Sequence, residues 1–310
     1  MTDSAKIWPL NGVVPLTHLG VIQVEGEDAA KFIHGQLTQD FSLLGMDAAR
    51  LAAFCSPKGR MQASFIGFKR SAGVIVLVCG LDILPATLKR ISMFVMRAKA
   101  RLRDASAEYT LYGLVGSAIQ NVAAHAHPAW SKADFDDISL VNLYPADATP
   151  RQLWIAPAGT PAPNGPALDP ALWAWLEVRS GVATLSAPVV EEFVPQMLNY
   201  ESVGGVNFKK GCYPGQEVVA RSQFRGTLKR RAFLVHSETP LTAGDAVYVP
   251  TDPEQPVATV VQAAQAPAGG FDAIISGQIA AVNEGPLHAG SVNGGALFLQ
   301  ALPYTLLEDI

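Results

Sequence analysis

The chain has 310 residues, of which 49% are hydrophobic and 16% charged, and a formal net charge of −4. This length corresponds to two or three structural units, with enough core to need no disulfide or metal staple. The acidic balance gives no global attraction to nucleic acid or to a membrane, and three scattered cysteines argue against a disulfide framework and for a reducing compartment.

The opening MTDSAKIWPLNGVVPL has no basic segment followed by an apolar run, so no secretory signal is expected. The strongest apolar run, GVIVLVCGLDILP (73–85), is too short to span a bilayer and carries Asp82. The reading is a soluble, cytoplasmic protein.

In chain order, residues 20–41 predict a strand, a turn at Gly26 and a helix, with Asp28 as N-cap or first-turn acid. Ala29, Phe32, Ile33 and Leu37 recur at helical spacing. Residues 50–70 predict a hairpin turning at Ser56-Pro57-Lys58-Gly59. Residues 73–79 predict a buried strand, and Leu81 to Phe94 a helix. Residues 95–104 predict a strand, with Arg97, Lys99, Arg101 and Arg103 on one face and Met96, Ala98, Ala100 and Leu102 on the other.

Residues 125–170 are rich in Pro, Ala and Asp, and 156–170 predicts a loop. A helix is expected from Pro170 to Gly181. From Arg231 onward, five short β-type runs separated by Gly and Pro predict a small all-β barrel.

Thirteen of the 23 basic residues fall in two segments, 89–103 and 209–231, whose only acid is Glu217. If the two meet, they form one basic face suited to a polyanion; otherwise they are two ordinary solvated faces.

KKGCYPGQEVVAR (209–221) is the densest chemical motif. Gly211 and Gly215 mark a tight turn, and Pro214 suits the start of a short helix over Gln216–Gln223. Cys212 then lies before a helix N-terminus and beside Lys209 and Lys210, which favour thiolate. The residues alone leave two readings open, a reactive or ligand thiol and a small residue filling a turn. No C-x-x-C or H-x-x-x-H spacing supports a zinc site. No glycine-rich dinucleotide or P-loop motif and no G-x-S-x-G is present. His125 and His127 read as solvated loop residues. His18, His34, His236 and His288 have no obvious partner in sequence and read as structural.

The motif closely resembles the signature of the YgfZ family of folate-binding proteins, K-G-C-[FY]-x-G-Q-E-x-x-[AS]-R. The match is intact at Lys210, Gly211, Cys212, Tyr213, Gly215, Gln216, Glu217, Ala220 and Arg221. Residues 24–40, 56–61, 96–104, 192–208 and 302–309 also fit, so the resemblance covers nearly the whole chain.

The resemblance implies an α+β fold like the aminomethyltransferase (T-protein) of the glycine cleavage system. Two interleaved α/β subdomains, about 1–48 with 110–230 and 49–109, would surround a central channel, followed by an antiparallel β-barrel over 231–310. It implies tetrahydrofolate or a derivative as cofactor; a polyglutamate tail on it would give the basic segments a polyanion to bind. It implies a role in assembly or repair of iron–sulfur clusters in client enzymes, including tRNA-modifying ones.

Lys210, Cys212, Tyr213, Gln216, Glu217 and Arg221 are the implied reactive set. Trp173, Arg179, Gln196 and Asn199 are the implied folate contacts, with Trp173 stacking the pterin. The chain departs from the pattern twice. The strand ending VLVCGLD (76–82) lacks the Asn of the T-protein turn, leaving Asp82 near its catalytic acid. Arg179 stands where many relatives place a Glu, and Glu177 lies two residues away on a different helix face. The alternatives are a tetrahydrofolate-dependent aminomethyl or one-carbon transferase, and a non-catalytic tRNA- or protein-binding adaptor.

Overall fold

The computed structural model describes residues 10–119, 128–224 and 228–307. His125, His127 and Arg225 lie outside them. Strands β1 (Gly12–Pro15) and β2 (Leu19–Glu25) lead to helix α1 (Ala29–His34). β3 (Ala49–Cys55) and β4 (Met61–Ser71) form the expected hairpin, followed by β5 (Val74–Gly80) and α2 (Leu84–Ser92). Then come β6 (Arg101–Asp104), β7 (Tyr109–Val115), β8 (Lys132–Phe135), β9 (Ile138–Asn142), β10 (Arg151–Pro157), α3 (Pro170–Arg179) and α4 (Gln216–Phe224). The rest comprises β11 (Arg230–Ser237), β12 (Ala246–Tyr248), β13 (Ala258–Gln265), β14 (Phe271–Gln278), α5 (Ile279–Glu284), β15 (Leu287–Ala289) and β16 (Ala296–Gln300).

The strands form two five-stranded sheets, ordered β1-β7-β10-β9-β8 and β3-β4-β5-β2-β6, and a closed barrel, β11-β14-β13-β12-β15-β16. Every pairing within these sheets is antiparallel. One apolar core lies between the two sheets and includes Val21, Phe68, Val76, Val115, Leu153, Trp173 and Leu176. A second joins the β2–β5 sheet to α1, to the 182–206 loops and to barrel residues Leu234, Val261 and Ile274. Helix α3 therefore stands where both sheets and the barrel converge, packing on β13 and β14.

Two expectations are corrected. The strand over 95–104 is paired only from Arg101, because its partner β2 ends at Glu25. Met96, on the face opposite the basic residues, is 86% exposed. Asp28 sits at the N-cap of α1 but makes no cap hydrogen bond there; its carboxylate accepts from Lys99 N at 2.8 Å. Within the Pro/Ala-rich region the expected loop runs from 158 to 169, and three strands, β8 to β10, precede it. Of these, β10 opens with Arg151 and Gln152, two buried polar residues that disguise it.

Candidate functional site

Helix α3 sets the geometry. Asp169 caps it by accepting from Ala171 N at 2.8 Å, and Pro170 fills the first position, where no N–H is needed. Trp173 and Glu177 are four residues apart and so share a face. That face looks into two adjoining cavities.

The inner chamber, of about 50 Å³, lies between the two sheets and is lined by Leu51, Phe65, Cys79, Trp130, Arg151, Trp173 and Glu177, among others. The outer chamber is about 640 Å³. His18, Asp82, Glu177, Ser186, Leu241 and Gln262 contribute to its wall, so the barrel closes one side. Glu177 and Thr184 border both chambers. By size the inner chamber holds a water or two, whereas the outer one is in the range of small-molecule sites, roughly 300–1,000 Å³.

Trp173 is buried. The guanidinium of Arg151 lies 5.3 Å from its ring, and a Cβ on Gly113 would meet three carbons of its six-membered ring at 2.5–2.6 Å. At 1% exposure it presents almost no surface on which a heterocycle could stack. What it offers is an edge and a buried Nε1–H with no hydrogen-bond partner. Arg151 donates from Nε and Nη2 to Tyr144 O at 3.3 and 3.0 Å. Burial pulls its pKa down to about 10, against the opposing charge of Glu177. Glu177 Oε1 lies 3.4 Å from His18 Nε2. Burial disfavours the charged imidazole, but the hydrogen bond and charge of Glu177 outweigh it and leave the His18 pKa raised.

The other expected folate contacts lie elsewhere. Arg179 turns away from both chambers and forms a two-pronged pair with Asp147 at 2.6 and 2.9 Å. The carboxylate facing the channel is thus Glu177, on the face counted from Trp173. Gln196 Nε2 donates to Val219 O at 2.7 Å. Asn199, in the left-handed region at φ 55°, exchanges hydrogen bonds with the Ala232 backbone of β11. Both tie segments together. Asp82, beside the outer chamber, accepts from Ala187 N at 2.7 Å.

The Cys212 turn forms a second locus, and none of residues 209–221 lines either chamber. Lys210 is buried. Its Nζ donates to His34 O at 2.5 Å and Leu37 O at 2.9 Å, and stands 4.5 Å from the Tyr213 ring centre. It is thereby a cation capping the C-terminal carbonyls of α1. Burial draws its pKa down to about 8, against the charges of Asp40 and Cys212. Burial also pushes the Tyr213 hydroxyl well above its ordinary range.

Cys212 is exposed. Cys55 and Cys79 are buried, and desolvation pushes both thiols up to about 12. Gln216 N donates to Tyr213 O at 3.2 Å, opening α4. Glu217 and Arg221 pair at 2.6 Å on the outer face of that helix.

His34 has a partner that its sequence neighbourhood did not suggest. Its Nδ1 lies 3.0 Å from Asp40 Oδ1, and its Nε2 faces Gly211, where a Cβ would stand 3.5 Å away. Leu43 N also donates to this carboxylate at 2.9 Å. Burial works to raise the Asp40 pKa, but these contacts outweigh it and hold it lowered. His18 and His236 likewise face carboxylates, Glu177 and Asp272. These pairings span 6, 159 and 36 residues, beyond what local pattern reveals.

Three residues of the basic segments are answered by acids from elsewhere. Lys99 pairs with Glu27 at 2.8 Å, Arg103 with Glu25 and Glu108, and Arg231 with Glu201 at 2.8 Å. Among the described residues, no group of three or more His, Cys, Asp or Glu could hold a metal ion, and no helix is long and apolar enough to cross a membrane.

No family model matches the chain. A protein of Haemophilus influenzae described as uncharacterized is 32% identical over 229 residues, 73% of this chain and 74% of the relative. The tRNA-modifying protein YgfZ of Colwellia psychrerythraea is 30% identical over 251 residues, 77% and 76% of the two chains. That of Sodalis glossinidius is 29% identical over 317 residues, 96% and 94%. In fold, the glycine cleavage system aminomethyltransferase T of Bartonella henselae superposes with a TM-score of 0.67 at 14% identity, covering 95% of this chain and 86% of that one. The expected architecture, α+β elements around a channel with a C-terminal antiparallel barrel, is the one observed. On this combination of sequence and fold, the chain belongs to the YgfZ family of tRNA-modifying proteins.

Proposed function

We propose that this protein binds a folate in the two-chamber channel and supports tRNA modification through upkeep of iron–sulfur clusters in client enzymes, with Cys212 as its reactive thiol. The observation that carries the reading is the outer chamber itself. It is a cleft of about 640 Å³ at the meeting of sheet, helix and barrel, with the Glu177 carboxylate at its floor. A pterin ring presents adjacent N–H donors that suit such a carboxylate, and the aminomethyltransferase-like fold supports the same ligand class.

Transfer of a one-carbon unit is less supported. Asp82, which lines the chamber from the segment after β5, is engaged by a backbone N–H, and a general acid or base must reach the reacting group. The thiol locus is separate from the channel, so Cys212 serves a client or a second reactant rather than the pterin directly.

Isothermal titration with tetrahydrofolate, with and without a polyglutamate tail, tests the ligand. Saturable binding lost in Glu177→Gln is expected, and no binding by wild type overturns the folate reading. For the thiol, Cys212→Ala is expected to fold normally and to fail to restore iron–sulfur enzyme activity in a strain lacking the family member. Full restoration removes Cys212 from the function.

A further inference from the structure

Glu177 borders both chambers, and among the described residues its ion-pair partner is His18. Arg151, on the inner side, donates from Nε and Nη2 to Tyr144 O and lies against the Trp173 ring. His18 stands in the turn between β1 and β2. Its backbone is pinned at the chamber mouth, where His18 O accepts from Leu81 N at 2.9 Å. Its side chain is 50% exposed, whereas that of Glu177 is 15% exposed. The imidazole thus reaches from solvent to a carboxylate at the chamber floor.

We propose that His18 is a positioning residue for the ligand site: as imidazolium it holds Glu177, and a ligand that brings N–H donors to Glu177 displaces it. The proposal rests on the folate reading for the identity of that ligand.

The other charged groups near His18 are few. Asp82 lines the same chamber from the segment after β5 and already accepts from Ala187 N. The barrel wall, Leu241 to Ala243 with Gln262 and Ala263, is uncharged. Arg151 lies beyond Glu177, on the inner side. The sign follows. Below its raised pKa, His18 is charged and competes for Glu177. As pH rises through that value the competitor disappears, and the ligand binds more tightly. By linkage, ligand binding releases the His18 proton.

The test has two arms. Tetrahydrofolate is titrated anaerobically into wild type and His18→Gln at about pH 6, 7 and 8. Wild-type affinity is expected to rise about fivefold or more across this range. In His18→Gln, affinity should stay flat near the wild-type high-pH value. A flat wild-type profile, or the same slope in His18→Gln, overturns the proposal. In the second arm, the imidazole of His18 is titrated by NMR in ligand-free wild type and Glu177→Gln. A raised value in wild type that falls in the variant supports the pairing; identical curves overturn it. If wild type binds no tetrahydrofolate at any pH, the folate reading fails, and the imidazole arm alone decides the His18 assignment.

Discussion

Gly59 and Gly215 meet backbone to backbone. A Cβ on Gly215 would stand 2.5 Å from Ser56 O and 2.7 Å from Gly59 Cα, and Gly215 itself has φ +78°. The hairpin turn of β3 and β4 is thus the template on which the Cys212 turn is moulded. Gly215→Ala combines backbone strain with a clash against backbone atoms, and is expected to cost about 2–4 kcal/mol. Gly159→Ala is the control, since Gly159 has φ +88° with nothing within 4 Å of its Cβ. It should cost only the conformational part, about 1 kcal/mol. Equal losses in urea denaturation of the two variants would show that the contact carries no weight.

Lys210 makes stability respond to alkaline pH. Its pKa in the folded protein, about 8, lies below the ordinary 10.5, so between these values the unfolded chain binds more protons. Stability contributed at this site therefore rises as pH increases from about 8 towards 10. Comparison of the wild-type and Lys210→Met urea midpoints at about pH 7.5 and 9.5 should show the wild type gaining relative to the variant. A constant difference would mean that the ammonium is not desolvated.

Cys212 should be the one thiol that reacts in the native protein. Iodoacetamide followed by intact mass measurement is expected to add one carbamidomethyl group natively and three after denaturation, matching one exposed and two buried cysteines. Cys212→Ala should abolish native labelling and shift stability by less than about 0.5 kcal/mol, as surface substitutions do. Native labelling of Cys55 or Cys79 would contradict their burial.

Gly113 keeps the inner chamber open by letting Trp173 lie against the β7 backbone. Gly113→Ala must displace the indole that lines the chamber. The expected loss is about 1–3 kcal/mol of stability, with tetrahydrofolate affinity reduced and tryptophan fluorescence altered. Unchanged binding and fluorescence would place the ligand wholly in the outer chamber.

Local pattern accounts for much of this fold. The strand–turn–helix over 20–41, the hairpin turning at Ser56 to Gly59, helix α3 with its Asp-Pro start and the C-terminal barrel all follow from periodicity and turn chemistry. The sheet built from β1 and β7 to β10 does not, because its strands are short, separated by Pro- and Asp-rich connections, and in β10 begin with buried polar residues. In the candidate site, the Cys212 turn is legible because its residues are contiguous. The channel is less so. Glu177 is within reach of the sequence, four residues after Trp173, but the family resemblance aligns Arg179 with the expected acid and leaves Glu177 two residues out of register. Arg151 and His18 acquire meaning only when distant segments meet.

The outer chamber has one further consequence. Leu241, Thr242, Ala243, Gln262 and Ala263 belong to the barrel region, and Gln262 Oε1 accepts from Thr184 N at 3.0 Å across the cleft. The pocket is therefore a seam, present only while the barrel is seated on α3. Whatever occupies it acts as a keystone, adding about 2.7 kcal/mol to that seating at a hundred times its Kd. The same molecule that the protein holds would in turn hold the protein together, and ligand supply in the cell would set how long the seam resists proteolysis.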